Sequence, residues 1–220
     1  MVFRIIYTLL FCVFSFVGYT QEAQNKISFE EWNTPQYQAA NSAGDAIYLN
    51  DTEKEVVKLM NSARMNGKLF ARTYLIRYMQ GFKVAKTSYL STLIDALETL
   101  PSLKPFSPSP GLTKAAKDHA EDLGQNGKTG HVGTDGSRMA NRIEKYAEWG
   151  EIIAENCSYG TKTALDIVCT LLIDEGVVTY GHRKNILSKD HNFVGVATST
   201  HTLYKYSCVM DFAGAIVAEK

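Results

Sequence analysis

Up to Leu172 the apolar residues keep mostly a helical rhythm, and from Phe193 onward they alternate. That switch of period, from about 3.6 to 2, constrains the fold more than any other feature of the chain. Thr52-Glu53-Lys54-Glu55 has capping-box spacing, and Val56, Leu59, Met60 and Ala63 follow on one helical face. The pattern resumes after a break near Gly67, through Phe70 and Tyr74 to Met79. Tyr89, Leu90, Leu93, Ile94 and Leu97 form another. Residues 101–111, with four prolines, read as an extended connector. Ser109 then caps a helix with Pro110 in its first turn and Leu112, Ala115, Ala116, His119, Ala120 and Leu123 on one face. Gly124 to Gly136 reads as a loop, and Ser137 as the cap of a short helix through Ile143 to Tyr146. Ile152 to Cys157 reads as a strand, and Thr163 opens a helix that buries Ala164, Ile167, Val168, Leu171 and Leu172. Phe193, Val194 and Val196 lead to a turn at Ser199 to Thr202, and Tyr204, Tyr206, Cys208 and Met210 alternate after it. Helices first and antiparallel strands last favour an α+β domain or a three-layer α/β/α sandwich over a doubly wound parallel sheet.

Before this pattern lie two other segments. Residues 1–20 carry a single charge, Arg4, and an apolar run from Ile5 to Val17. The run is shorter than the roughly 20 residues that cross a bilayer, and it reads as a secretory signal peptide. Residues 21–50 are polar and mixed and read as an N-terminal extension that packs loosely. Lys+Arg and Asp+Glu both number 23, so no basic stripe supports a nucleic-acid partner. Without residues 1–20 three cysteines remain, Cys157, Cys169 and Cys208. Export would permit a Cys157–Cys208 disulfide, and three buried apolar thiols are the competing reading.

The chemistry-bearing residues are scattered. His131 ends the glycine-rich loop, and Glu155 lies in a strand of Ile and Ala. In Asp174-Glu175-Gly176-Val177-Val178-Thr179-Tyr180-Gly181-His182-Arg183, two acids precede a His by a short loop. A carboxylate in an apolar strand is costly to bury unless paired or ligated. Two imidazoles and a carboxylate can hold Zn²⁺ with a position left for water, or exchange protons near neutrality. The competing reading is three hydrogen-bonded groups that fix loops. His119 reads as a satisfied core histidine, His191 and His201 as surface loop residues. Arg183 and Asn185 read as anchors of the loop after His182. No HExxH, GxSxG, GxGxxG or phosphate-binding loop is present.

Taken in order, Met60-Asn61-Ser62-Ala63-Arg64, the helix from Leu112 to Leu123, Gly130-His131, Ala154-Glu155-Asn156, Gly181-His182-Arg183 and Phe193-Val194-Gly195-Val196 resemble the CAP superfamily, or SCP domain, in its short bacterial form. The resemblance implies a CAP domain over 51–217, built as an α/β/α sandwich with a central antiparallel sheet. It further implies a cleft of two His and two acids that binds a divalent cation such as zinc in several members. By position, His131, Glu155 and His182 match three of these. Asp174 stands where many members carry a Glu after a Trp, and Glu175 is its competitor. Asn156, Glu175 and Arg183 would support the cleft. The family implies a secreted or periplasmic binding module with a lipid or cell-surface ligand, and less readily a zinc-dependent hydrolase with Glu155 or Asp174 as base.

Overall fold

The structure, a computed structural model, describes residues 29–220; the signal-like segment 1–20 lies outside the described residues. The chain runs α1 (Asp51–Met65), α2 (Gly67–Phe70), a π-helical turn (Ala71–Leu75), α3 (Ile76–Phe82), α4 (Ser88–Thr99), β1 (Ser107–Pro108), α5 (Pro110–Asn126), α6 (Met139–Tyr146), β2 (Ala147–Tyr159), α7 (Ala164–Ile173), α8 (Gly181–Ile186), β3 (Phe193–His201) and β4 (Lys205–Glu219). The sheet order is β1-β3-β4-β2. β2–β4 and β3–β4 are antiparallel, and only the two-residue β1 runs parallel, to β3. Pro108 has no N–H to give a ladder, which suits this edge position.

Alternation along the strands sends successive side chains to opposite faces. Val194, Val196, Cys208, Met210 and Phe212 join the large core built with α1, α4 and α7. Ala197, Val209, Ala213 and Cys157 face α5 and α6 in two smaller clusters. The domain is thus the expected three-layer α/β/α sandwich. Small residues let α5 lie close against β3. A Cβ on Gly195 would sit 2.1 Å from the Leu112 carbonyl carbon, and one on Gly124 would sit 2.2 Å from the Thr200 carbonyl oxygen.

Local signals set most helix starts. Ser109 Oγ accepts the Leu112 N–H and Thr163 Oγ1 accepts the Asp166 N–H, as expected. The α1 capping box instead begins at Asn50, two residues earlier than expected, with Asn50 and Glu53 satisfying each other's backbone N–H. Arg138, not Ser137, holds the cap position of α6. Helix α5 continues through Gly124 to Asn126 and ends on Gly127 in the left-handed region. β2 starts at Ala147, five residues before the expected strand, and β3 runs on through the expected turn to His201.

Several expectations are corrected by packing. The extension is not loose, since Trp32, Ala40, Ala43, Ala46 and Leu49 are buried. Asn61 of α1 clamps it by donating to the Ala40 carbonyl and to Ser42 Oγ while accepting the Phe106 N–H. Arg64, stacked 3.8 Å from the Phe106 ring, donates to the carbonyls of Lys104, Ile186, Ser188 and His191. His191 and His201 are buried, each 2% exposed. The His191 ring bonds the Asn185 carbonyl six residues back, and the His201 ring bonds the Lys128 carbonyl 73 residues back, a contact that leaves no local trace in the sequence. Among the described residues, Cys157, Cys169 and Cys208 are free and buried. Cys157 lies opposite Val209 and Cys208 opposite Ser158, so the two thiols face opposite sides of the sheet and form no disulfide.

Candidate functional site

The edge strand β2 carries Glu155 and Asn156, whose side chains leave on opposite faces. Glu155 points toward α5 and α6. Its Oε1 lies 2.8 Å from His131 Nδ1, and its Oε2 accepts from Arg142 at 2.5 Å. His119 Nε2, bonded to the Gly130 carbonyl, lies 3.7 Å from the same carboxylate. Burial pushes the Glu155 carboxyl up, but the His131 bond and the charges of His119 and Arg142 together outweigh it and hold the group below the usual carboxylate range. The Glu155 bond raises His131, whereas burial lowers His119. A groove of 430 Å³ opens here, lined by His131, Val132, Arg138, Met139, Ala140 and Glu155.

On the other face, Asp174 ends α7 in the left-handed region at φ 60°. That turn aims its carboxylate at the start of α8. Oδ1 lies 2.7 Å from His182 Nδ1, and Oδ2 accepts the N–H groups of His182 and Arg183. The Asn156 amide donates to the His182 carbonyl, and Asn185 donates to Asn156 Oδ1 at 2.8 Å. Arg183 turns away from the cleft. It donates to the carbonyls of Leu172, Ile173 and Tyr89 and to Thr92, fastening α8 to α7 and α4. Glu175 turns away too, accepting from Thr87 Oγ1 at 2.6 Å, so Asp174 is the acid that meets His182.

The residues thus form two pairs, His131–Glu155 and His182–Asp174, joined through Glu155-Asn156 of β2. The four do not share one compact set of ligand atoms. Among the described residues, the group of His, Cys, Asp or Glu with ligand atoms all within 4.8 Å is His119, Glu155 and Cys157. Sequence reasoning passed over Arg142 and Asp211. Arg142 shares the stripe of Met139, Ile143 and Tyr146 on α6, which would have marked it as inward-facing. Asp211 sits opposite Glu155 on β4, fully buried, with no hydrogen-bond partner on either oxygen. Its burial, and then the Glu155 charge, push its carboxyl well up. The small apolar residues Val209 and Ala213 of the same parity were its signal.

The donor chemistry bears on a metal. Each histidine can direct Nδ1–H to a carboxylate, which leaves an Nε2 lone pair with no partner among the described residues. That is the outer-shell pattern of metal-binding histidines. The side chains of His131 and His182 are 56% and 24% exposed against 3% and 1% for Glu155 and Asp174, so the imidazoles are the reachable groups. Each imidazole is thus free to act as a ligand, while both carboxylates are already engaged as supports.

The sequence places this three-layer domain in a known family. Residues 57–212 match the model of the CAP, cysteine-rich secretory protein, family. The chain belongs to that family. Among solved structures it is similar to an extracellular protein containing an SCP domain from Bacillus anthracis, at 18% identity over 56% of this chain and 37% of that one, with a TM-score of 0.41. An outer surface protein of Borrelia burgdorferi is similar at 20% identity over 59% of this chain and 95% of that one, with a TM-score of 0.44. A cysteine-rich secretory protein of Staphylococcus aureus matches at 14% identity over 57% and 38%, with a TM-score of 0.37. The aligned part thus spans little more than a third of the first and third of these chains. No curated protein matches the sequence. Among the described residues no helix is long and apolar enough to cross a membrane.

Proposed function

We propose that the protein is an exported, non-enzymatic binding module whose β2-edge cleft takes a divalent cation weakly through His131 and His182. Family membership and the signal-like segment 1–20 support export, to the periplasm or the cell exterior. The observation that carries the cleft reading is the matched pair of Nδ1–carboxylate bonds at 2.8 and 2.7 Å. Such bonds favour Nδ1–H on both rings, which would leave each Nε2 lone pair to a cation. Zinc bound by two imidazoles would complete its four positions with water or with a donor from a lipid or cell-surface ligand. A zinc-dependent hydrolase needs a free carboxylate as base. Glu155 is instead held by His131 and Arg142, and Asp174 by His182 and two backbone N–H groups, which favours binding over catalysis.

Zinc titration by calorimetry tests this directly. The protein should release heat with zinc, and the His131→Ala/His182→Ala double variant should release none. Glu155→Gln should weaken binding by about 10–100-fold, as loss of an outer-shell partner does. Heat that survives the double variant, or no heat from the intact protein, would overturn the cation reading.

A further inference from the structure

The end of the sandwich that carries the β3–β4 turn is built from three segments far apart in sequence. His201 braces the turn. Its Nδ1 accepts the N–H groups of Leu203 and Tyr204 at 3.2 and 3.3 Å, and its Nε2 donates to the Lys128 carbonyl at 2.8 Å. The Thr202 N–H donates to the Gly124 carbonyl of α5. On the β2 side the Gly160 N–H donates to the Tyr206 carbonyl, and the Tyr159 ring lies 5.8 Å from that of Tyr204. A turn held this way is ordered before any partner arrives, so it loses little freedom on docking.

The three segments bring charge of one sign to the surface. Residues 124–130, 159–163 and 201–207 contain Lys128, Lys162 and Lys205 and no Asp or Glu. All three lysines are exposed, and among the described residues none makes an ion pair. Lys162 Nζ sits 5.5 Å over the Tyr206 ring, which keeps its charge at this end. Asp122, the nearest acid along α5, turns to the following loop, where it accepts the Thr134 N–H at 2.7 Å. The chain as a whole is balanced at 23 of each sign, so folding makes this concentration. The turn itself offers Leu203, 72% exposed, and Tyr204, 48% exposed.

We infer that this end docks on an anionic lipid bilayer, with Leu203 entering below the headgroups, Tyr204 at their level and the three lysines on the lipid phosphates. An exposed leucine gains by leaving water for the acyl region. A tyrosine suits the boundary, since its ring is apolar and its hydroxyl stays wet. Each lysine near an anionic surface strengthens the attachment. A soluble polyanion would use the lysines but give Leu203 nothing. A stable protein interface takes roughly 20–30 residues a side around an apolar core, which two side chains on one turn do not supply.

Co-sedimentation with vesicles tests this, using the chain without residues 1–20, which keeps every described residue. Binding is expected to vesicles of equal parts phosphatidylglycerol and phosphatidylcholine, and little to phosphatidylcholine alone. Lys128→Gln/Lys162→Gln/Lys205→Gln should weaken it about 100-fold, and added salt should weaken it too. Leu203→Ser should weaken it about tenfold at an unchanged melting temperature. Leu203→Trp should bind like the parent, and brominated acyl chains should quench its added fluorescence, which contact with headgroups or free phosphate alone does not produce. His131→Ala/His182→Ala should also bind like the parent, which separates this face from the cation cleft. No binding to the anionic vesicles, binding indifferent to the lysine changes, or Leu203→Trp fluorescence untouched by the brominated chains would overturn the proposal.

Discussion

Arg142 meets Glu155 where water hardly reaches, with side chains 2% and 3% exposed. Its Nη1 donates to the Ser137 carbonyl at 3.0 Å, so one guanidinium ties the loop before α6 to the edge strand. Removing it leaves Glu155 Oε2 without its donor, beside the buried Asp211, with only the His131 bond on the other oxygen. Loss of one partner of a buried pair costs about 3–5 kcal/mol. Arg142→Ala should therefore be destabilised by that amount in urea unfolding. Glu155→Gln in the same background should recover part of it, since the stranded charge is gone. Simple additivity of the two changes would show that they do not act as a pair.

Among the elements, α1 shows both how much the sequence makes legible and where it stops. Its apolar stripe, Val56, Leu59, Met60 and Ala63, is buried as the helical spacing requires. Its first residue was misplaced because Thr52 and Asn50 both satisfy a capping rule, and only tertiary contact decides between them. Glu53 decides: besides receiving the Asn50 N–H, its Oε1 accepts the Thr198 N–H at 2.8 Å across to β3. Asn50→Ala should cost about 1 kcal/mol, the usual value of a cap, read as a lowered urea midpoint with unchanged slope. Thr52→Ala should cost clearly less. The same limit explains β4. Its alternation was plain, but alternation normally marks one wet face, and here α5 covers the second one. Asp211, among the residues that alternate with Cys208 and Met210, was therefore passed over although it is fully buried. His131, Glu155 and His182 could be picked from the sequence by residue type and by family resemblance. That Glu155 and Asp174 are each already bound to an imidazole could not be, because those pairings join residues 24 and 8 positions apart through three-dimensional packing.

For the whole molecule, the buried charge around β2 sets how stability responds to pH. Asp211 has its carboxyl raised by burial and by Glu155. A raised carboxyl keeps its proton in the folded chain after the unfolded chain has released it. The unfolded state then binds fewer protons, and stability falls as pH rises above the ordinary value of 3.8 toward the raised one. His119, lowered by burial, acts oppositely over a window below 6.5: its contribution is lost as pH falls through that window. The raised His131 contributes most below 6.5 and loses that contribution as pH rises past it. These opposed slopes blur a single stability profile, so the informative quantity is a difference between two proteins. Asp211→Asn keeps the shape and removes the titration. Its stability relative to the parent should grow steadily as pH rises from 4 to 7, measured by urea unfolding at each pH. A difference that stays flat over that range would mean that Asp211 ionises like an ordinary carboxyl, and that the interior between α5 and the sheet tolerates its charge.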